Sequence, residues 1–255
     1  MRLRAWLPCA LLSLALALAT NARADALATL TAALRVQLGV PATEALGRIA
    51  GSDRQLLAMR SYLRAGPDLA ARWSWSDAQI AVYPYTTEYR DAQAEVDKVV
   101  AAFEAANPGH ELYVNRAVRS LDAQIAAWNE SPSVAAAAAA LQEAAIAETA
   151  KPAYARPDGD AAIARFRAFL AGWVASEPVA VAAPGLSLHG QMRAFDFQVQ
   201  QGDRIIASTS TADAIVQWDV EGWTEKLKQA VTSASTRLQG PLESPREPWH
   251  YSYTP

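Results

Sequence analysis

The sequence predicts an α+β fold, a small antiparallel sheet flanked by helices and preceded by an N-terminal helical subdomain. Two observations carry this. Phe195, Phe197 and Val199 alternate with Asp196, Gln198 and Gln200, Gln201-Gly202-Asp203 is a hairpin turn, and Ile205-Ile206-Ala207 returns as a second strand. Elsewhere apolar residues recur at helical spacing, so helices flank a short antiparallel sheet instead of alternating with parallel strands.

Taken in order, Leu27, Leu30, Leu34 and Leu38 mark the first helical stretch, broken at Pro41-Ala42-Thr43. Ser52-Asp53 is placed to cap a helix holding Leu56, Leu57, Met59, Tyr62 and Leu63, which Gly66-Pro67 ends. Residues 25–90 are therefore expected to form a helical N-terminal region that serves as scaffold. Trp73 and Trp75, with Tyr83 close behind, are either core or able to stack on a sugar ring. Asp91–Ala106 is an amphipathic helix with Val96, Val99, Val100 and Phe103 on one face, stopped by Asn107-Pro108-Gly109. Leu112-Tyr113-Val114 reads as a strand. Ser133–Ala150 is rich in alanine, the best helix former, and Ala161–Ala175 is a further helix. Together they make a helical insert at about 131–178 within a domain spanning 91–255. Trp223, Leu227, Ala230 and Val231 give a last helix, and Gly240-Pro241 opens the loop that follows.

Composition bounds the function. Met1-Arg2-Leu3-Arg4, an apolar run from Ala5 to Ala19, and Ala22-Arg23-Ala24 together read as a secretory signal peptide over 1–24. Cleavage is expected before Asp25, with the mature protein in the periplasm. The apolar run is too short for a membrane span, so no stable membrane insertion is expected after cleavage. Cys9, the sole cysteine, lies in that leader, so no thiol chemistry and no disulfide are expected of the mature chain. The formal charge is −3, and the leader holds three arginines and no acid, which leaves the mature chain at −6. No basic cluster stands out, which argues against nucleic acid as a partner.

Chemistry concentrates in two segments. The chain has three histidines, His110, His189 and His250. His189 opens His-Gly-Gln-Met-Arg-Ala-Phe-Asp, and His250 closes Glu-Pro-Trp-His. Two imidazoles with a carboxylate are a frequent ligand set for a catalytic zinc, and a further Glu can serve as general base. His189 and Asp196 would sit about 10 Å apart along one helix and on opposite faces of one regular strand. Sharing a metal requires a turn between them, and Gly190 is the expected place for it. Pro248 argues against a central strand, and a bent three-residue step can bring Glu247 and His250 to one centre. His110, in a turn-rich loop, reads as a surface residue.

Ser187-x-His189, six residues, then Asp196, with Ala194 two before it, resembles the first zinc motif of the D-alanyl-D-alanine carboxypeptidase/dipeptidase family of zinc peptidases, which includes murein endopeptidases. Glu247-Pro248-Trp249-His250 resembles its second motif. The resemblance covers roughly 91–255. It implies that His189, Asp196 and His250 ligate Zn2+ and that Glu247 is the catalytic base. Asn115–Gln124 resembles the family segment in which an arginine meets substrate and developing negative charge. That match assigns Arg119, with Arg116 as competitor. Ser120 can cap the following helix, whose first amides favour anions. Ser187 is a candidate substrate-binding residue and Trp249 a candidate pocket wall. The family usually has Gly three residues after the first His, where this chain has Met192.

The implied function is periplasmic, zinc-dependent hydrolysis of amide bonds in peptidoglycan peptides, D-Ala-D-Ala carboxypeptidase-like. The alternative is a weak or inactive binding module of the same fold, in which Met192 spoils the site.

Overall fold

A computed structural model describes residues 25–255, and the signal-peptide reading of 1–24 lies outside them. The described chain is α+β, as the sequence predicts, and divides into two compact units. One holds the described residues up to Gly66 together with Val134–Glu177; the other holds Pro67–Ser133 and Pro178–Pro255. The first unit thus ends at Gly66, inside the region read as 25–90, and residues 67–90, also largely helical, belong to the other unit. The insert read at 131–178 corresponds to the second piece of the same helical unit.

That unit contains α1 (25–35), α2 (Val40–Arg48) and α3 (Ser52–Ala65). Its core gathers Leu30, Leu34, Leu46, Leu57 and Tyr62. Ser52 is the first residue of α3 but makes no capping bond; Gly51, at φ 80°, precedes it instead. Gly66 ends the helix, as its missing Cβ allows at φ 56°.

The other unit begins with α4 (Leu69–Arg72) and α5 (Asp77–Val82), the latter opened by a Ser76–Gln79 capping box. Next comes α6 (Thr87–Ala106), which starts four residues earlier than its apolar spacing suggested. The reason is local: the Thr86 hydroxyl accepts the Tyr89 N–H at 3.1 Å and caps it there. Strand β1 (Glu111–Val114) and helix α7 (Leu121–Glu130) follow. The helix α8 (Pro132–Thr149) runs on into the helical unit, which also contains α9 (Asp160–Gly172), with Phe166 and Leu170 buried.

The chain then returns to the sheet through β2 (Ala194–Gln201) and β3 (Arg204–Ala207). A π-helical turn spans Ala214–Val220. It leads to α10 (Trp223–Ala234), β4 (Leu238–Gln239) and β5 (His250–Tyr253). β2 is the hub. Its first half pairs antiparallel with β5, and its second half with β1 and β3.

The expected alternation holds along β2. Phe195, Phe197 and Val199 are fully buried in a core with Val96, Val99 and Phe103 of α6 and Leu227 and Val231 of α10. Burying each large apolar side chain stabilises by roughly 1.5–3 kcal/mol. A one-residue slip would turn that whole face to water and drive Asp196 into the core. The packing of the inner face therefore fixes which residues the outer face presents. Among the described residues, no helix is long and apolar enough to cross a membrane.

Candidate metal centre

Asp196 and His250 meet because β2 and β5 put them opposite one another. The Phe197 N–H donates to the Trp249 carbonyl and the Tyr253 N–H to the Arg193 carbonyl. The Asp196–His250 pair falls between such bonded positions, where opposed side chains stand closest in an antiparallel ladder. The His250 Nδ1 lies 3.0 Å from Asp196 Oδ1.

His189 reaches the same place from outside the sheet. A single 3₁₀ turn, Leu188–Gln191, carries it. Met192 follows in the left-handed conformation, φ 55° and ψ 30°, and redirects the chain into β2. Among the described residues it is the one non-glycine with positive φ. The turn expected at Gly190 is thus divided between two residues. Gly190 serves close approach: a Cβ there would lie 2.1 Å from Ser74 Oγ and 2.7 Å from Gln124 Nε2. Met192 makes the change of direction, at the position where the resembling family has Gly. His189 Nε2 ends 3.4 Å from Asp196 Oδ2 and 3.3 Å from His250 Nδ1.

These distances define the chemistry. His189 Nε2 and His250 Nδ1 lie 3.3 Å apart, and each approaches a different oxygen of Asp196, Oδ2 at 3.4 Å and Oδ1 at 3.0 Å. Ligands at about 2.0–2.1 Å around a tetrahedral ion are about 3.3 Å apart. His189, Asp196 and His250 are thus positioned to hold a metal ion, in the wall of the cavity that all three line.

The protonation states suit that task. Burial lowers the pKa of His189, against the pull of Asp196, and so favours the neutral, ligating imidazole. Burial pushes the Asp196 carboxyl up, but hydrogen bonds and charge from His189 and His250 outweigh it and hold the group well below the usual carboxylate range.

Glu247 stands beside the triad without belonging to it. Its Oε2 lies 3.7 Å from His250 Nδ1. Its N–H donates to the Leu242 carbonyl and its carbonyl accepts the His250 N–H, so a tight turn fixes the three-residue step. Burial raises its pKa, with the Asp196 charge adding to the rise and His250 and Arg119 opposing it. A carboxyl moved toward neutrality and facing a metal position is suited to proton transfer.

Arg119 is drawn in from the other side. Its N–H donates to the His189 carbonyl at 3.0 Å and its Nη2 lies 3.4 Å from Asp196 Oδ2. Ser120 caps α7 as expected, accepting the Ala123 N–H. Arg116 is engaged elsewhere, with Gln93 and Asp97. Ser187 lines the main cavity beside His189, and its hydroxyl makes no hydrogen bond within the described chain. Trp249 lines the same cavity but is only 2% exposed and packs on Trp218, so it is a wall continuous with the core.

Trp73 and Trp75 do not line the metal-side cavities. Trp75 packs on Tyr83, and Trp73 lies against Gly185. His110 packs against Trp223 with the rings tilted and their centroids 4.7 Å apart, so it is part of the packing and not a bare surface residue.

Gln124 is a residue whose role the sequence did not disclose. It is 4% exposed. Its Nε2 donates to the Arg119 carbonyl at 2.8 Å and to Ser74 Oγ at 2.9 Å, while its Oε1 accepts the Gly185 N–H at 3.0 Å. One side-chain amide thus ties together the segments bearing Arg119 and the approach to His189. Its position after Arg119 and Ser120 was visible in the sequence, but these partners were not. Comparison with protein-family models, with curated proteins and with solved structures finds no match to this chain.

Proposed function

We propose that the protein is a zinc-dependent peptidase that hydrolyses amide bonds in peptidoglycan peptides. The observation that carries this reading is the donor triangle of His189, Asp196 and His250 with Glu247 beside it, outside the ligand set. The substrate class rests on the resemblance of the two motifs to the carboxypeptidase/dipeptidase family. The periplasmic location rests on the signal-peptide reading of 1–24.

Two imidazoles and one carboxylate suit zinc and also iron(II); the choice of zinc rests on the motif resemblance. When bound, zinc lowers the pKa of a coordinated water toward neutrality and polarises a carbonyl. The chain's own residues do the rest. Glu247 accepts the proton of the attacking water and returns it to the departing amine. Arg119 faces negative charge developing on the carbonyl oxygen, where a guanidinium pairs well. Asp196 supplies the one anionic ligand, placed opposite His250 by the β2–β5 register. Ser187 offers an unengaged hydroxyl to the substrate main chain.

The binding-module reading rested on Met192 in place of Gly. Met192 adopts the left-handed conformation that a glycine would supply, which weakens that alternative.

Elemental analysis combined with Glu247→Gln tests the proposal. The wild type should bind one zinc per chain and release product from peptidoglycan peptides. The variant should keep its zinc and lose on the order of 10²–10⁴-fold in turnover, the usual worth of general-base assistance. A Glu247→Gln protein as active as the wild type would remove Glu247 from the mechanism. A wild type that binds no zinc would end the proposal.

A further inference from the structure

Two cavities flank the donor triangle. The larger, about 550 Å³, holds Ser187, Glu247, Trp249 and His250 in its wall. The smaller, about 410 Å³, is bounded by Tyr113, Asn115, Ser120 and Gln198. Arg119, His189, Asp196 and Thr209 line both, so these four form the ridge on which the cavities meet. Each volume falls within the ~300–1,000 Å³ that takes up a drug-sized ligand. One leaving alanine, a methyl group and a carboxylate, would occupy little of either.

The charges point the same way. Arg119 is the one Lys or Arg in either wall, and it already lies 3.4 Å from Asp196. A free terminal carboxylate beside the scissile amide would share that single guanidinium with Asp196, with Glu247 close by. Neutral main-chain amides are better served. Ser187 offers its hydroxyl, and Gln198 and Thr209, bonded to each other at 3.3 Å, and Asn115, whose Oδ1 accepts the Ala117 N–H, each keep further donors or acceptors.

From this, and resting on the peptidase reading above, we infer that the substrate is a peptide continuing on both sides of the scissile bond. The chain crosses the ridge with several residues in each cavity, and an interior amide is cut rather than a terminal residue released. Hydrolysis there adds water across the bond, the hydroxyl to the carbonyl carbon and the proton to the departing nitrogen.

The test uses the zinc-loaded full chain and two synthetic probes. One is a pentapeptide ending in D-Ala-D-Ala with a free carboxylate. The other is a peptide joined through its D-Ala carbonyl to the side-chain amine of a second peptide, which makes that amide interior. Mass spectrometry identifies the bond cut. The expected result is an interior cut in the joined probe, at least ten-fold faster than any release of terminal D-Ala. Ala123, exposed and in the wall of the smaller cavity, supplies a second arm. Ala123→Trp should fill that cavity, keep one zinc per chain, and slow the interior cut at least ten-fold.

Faster release of terminal D-Ala, or an unchanged interior cut in Ala123→Trp, would overturn the inference and leave the peptidase reading standing. Cleavage of neither probe at any bond would bring down both.

Discussion

At residue 192 the usual order of glycine and alanine should invert. Where φ is negative, alanine is better than glycine by roughly 0.5–1 kcal/mol, because glycine loses more backbone entropy on folding. Met192 sits at φ 55° and ψ 30°. That region costs a residue with a Cβ roughly 1–2 kcal/mol, and glycine almost nothing. The difference leaves Met192→Gly about 0.5–1 kcal/mol more stable than Met192→Ala. Both should still fall below the wild type. The Met192 side chain is 2% exposed, and truncating a buried Met typically costs about 2–5 kcal/mol, so lost packing outweighs relieved strain. Urea titration of the metal-free proteins, followed by tryptophan emission and compared at equal slope, reads both differences. An alanine variant as stable as the glycine variant would mean that residue 192 does not hold a left-handed turn. The account of how His189 reaches Asp196 would then fail.

Three further outcomes follow from the site. Arg119→Ala should lower turnover and leave zinc content intact, whereas Arg116→Ala, a side chain held by Gln93 and Asp97, should leave both unchanged; parallel assays and metal analysis decide, and the reverse pattern would reassign the role. Glu247 has a raised pKa in the fold, so the folded state holds its proton more firmly than the unfolded chain. Its contribution to stability is complete at pH values below about 4.3, the unperturbed glutamate value, and is lost as pH rises through the folded pKa. Metal-free Glu247→Gln should therefore gain in melting temperature over the wild type as pH rises to 7, and a flat difference from pH 3.5 to 7 would contradict the shift. Gln124→Met removes the amide but keeps the bulk. It should weaken zinc binding by about 10–100-fold, as loss of supporting hydrogen bonds around a metal site does; competition with a chelating dye measures this, and unchanged affinity would make Gln124 a purely structural residue.

The legible parts of the sequence were those in which one local rule decides the outcome. Phe195, Phe197 and Val199 announced the buried face of β2, and that face dictated where Asp196 points. Ser120 announced the cap of α7. The start of α6 was misjudged because apolar spacing marks only the buried stripe, whereas the Thr86 cap sets the end. The division at Gly66 was hidden because the partner of the N-terminal helices lies more than sixty positions further on, at Val134–Glu177, and no local pattern reports that. His189, Asp196 and His250 were singled out as residues, but their convergence needed the register of β2 with β5 and the backbone of Met192. Spacing alone left both open. Gln124 escaped because a glutamine near a helix start looks like any polar surface residue until its three partners close around it.

The pairing of Asp196 with His250 also bears on how distant parts of the chain are held together. The two residues are 54 positions apart in sequence. The sole cysteine, Cys9, lies outside the described residues, so no disulfide spans that distance among them. An ion held by both would join them only in the folded chain, because the ligands are not assembled once it unfolds. Its stabilisation would then depend on the free ion concentration, so the β2–β5 pair would carry a reversible clasp that chelation opens, where a disulfide would need reduction.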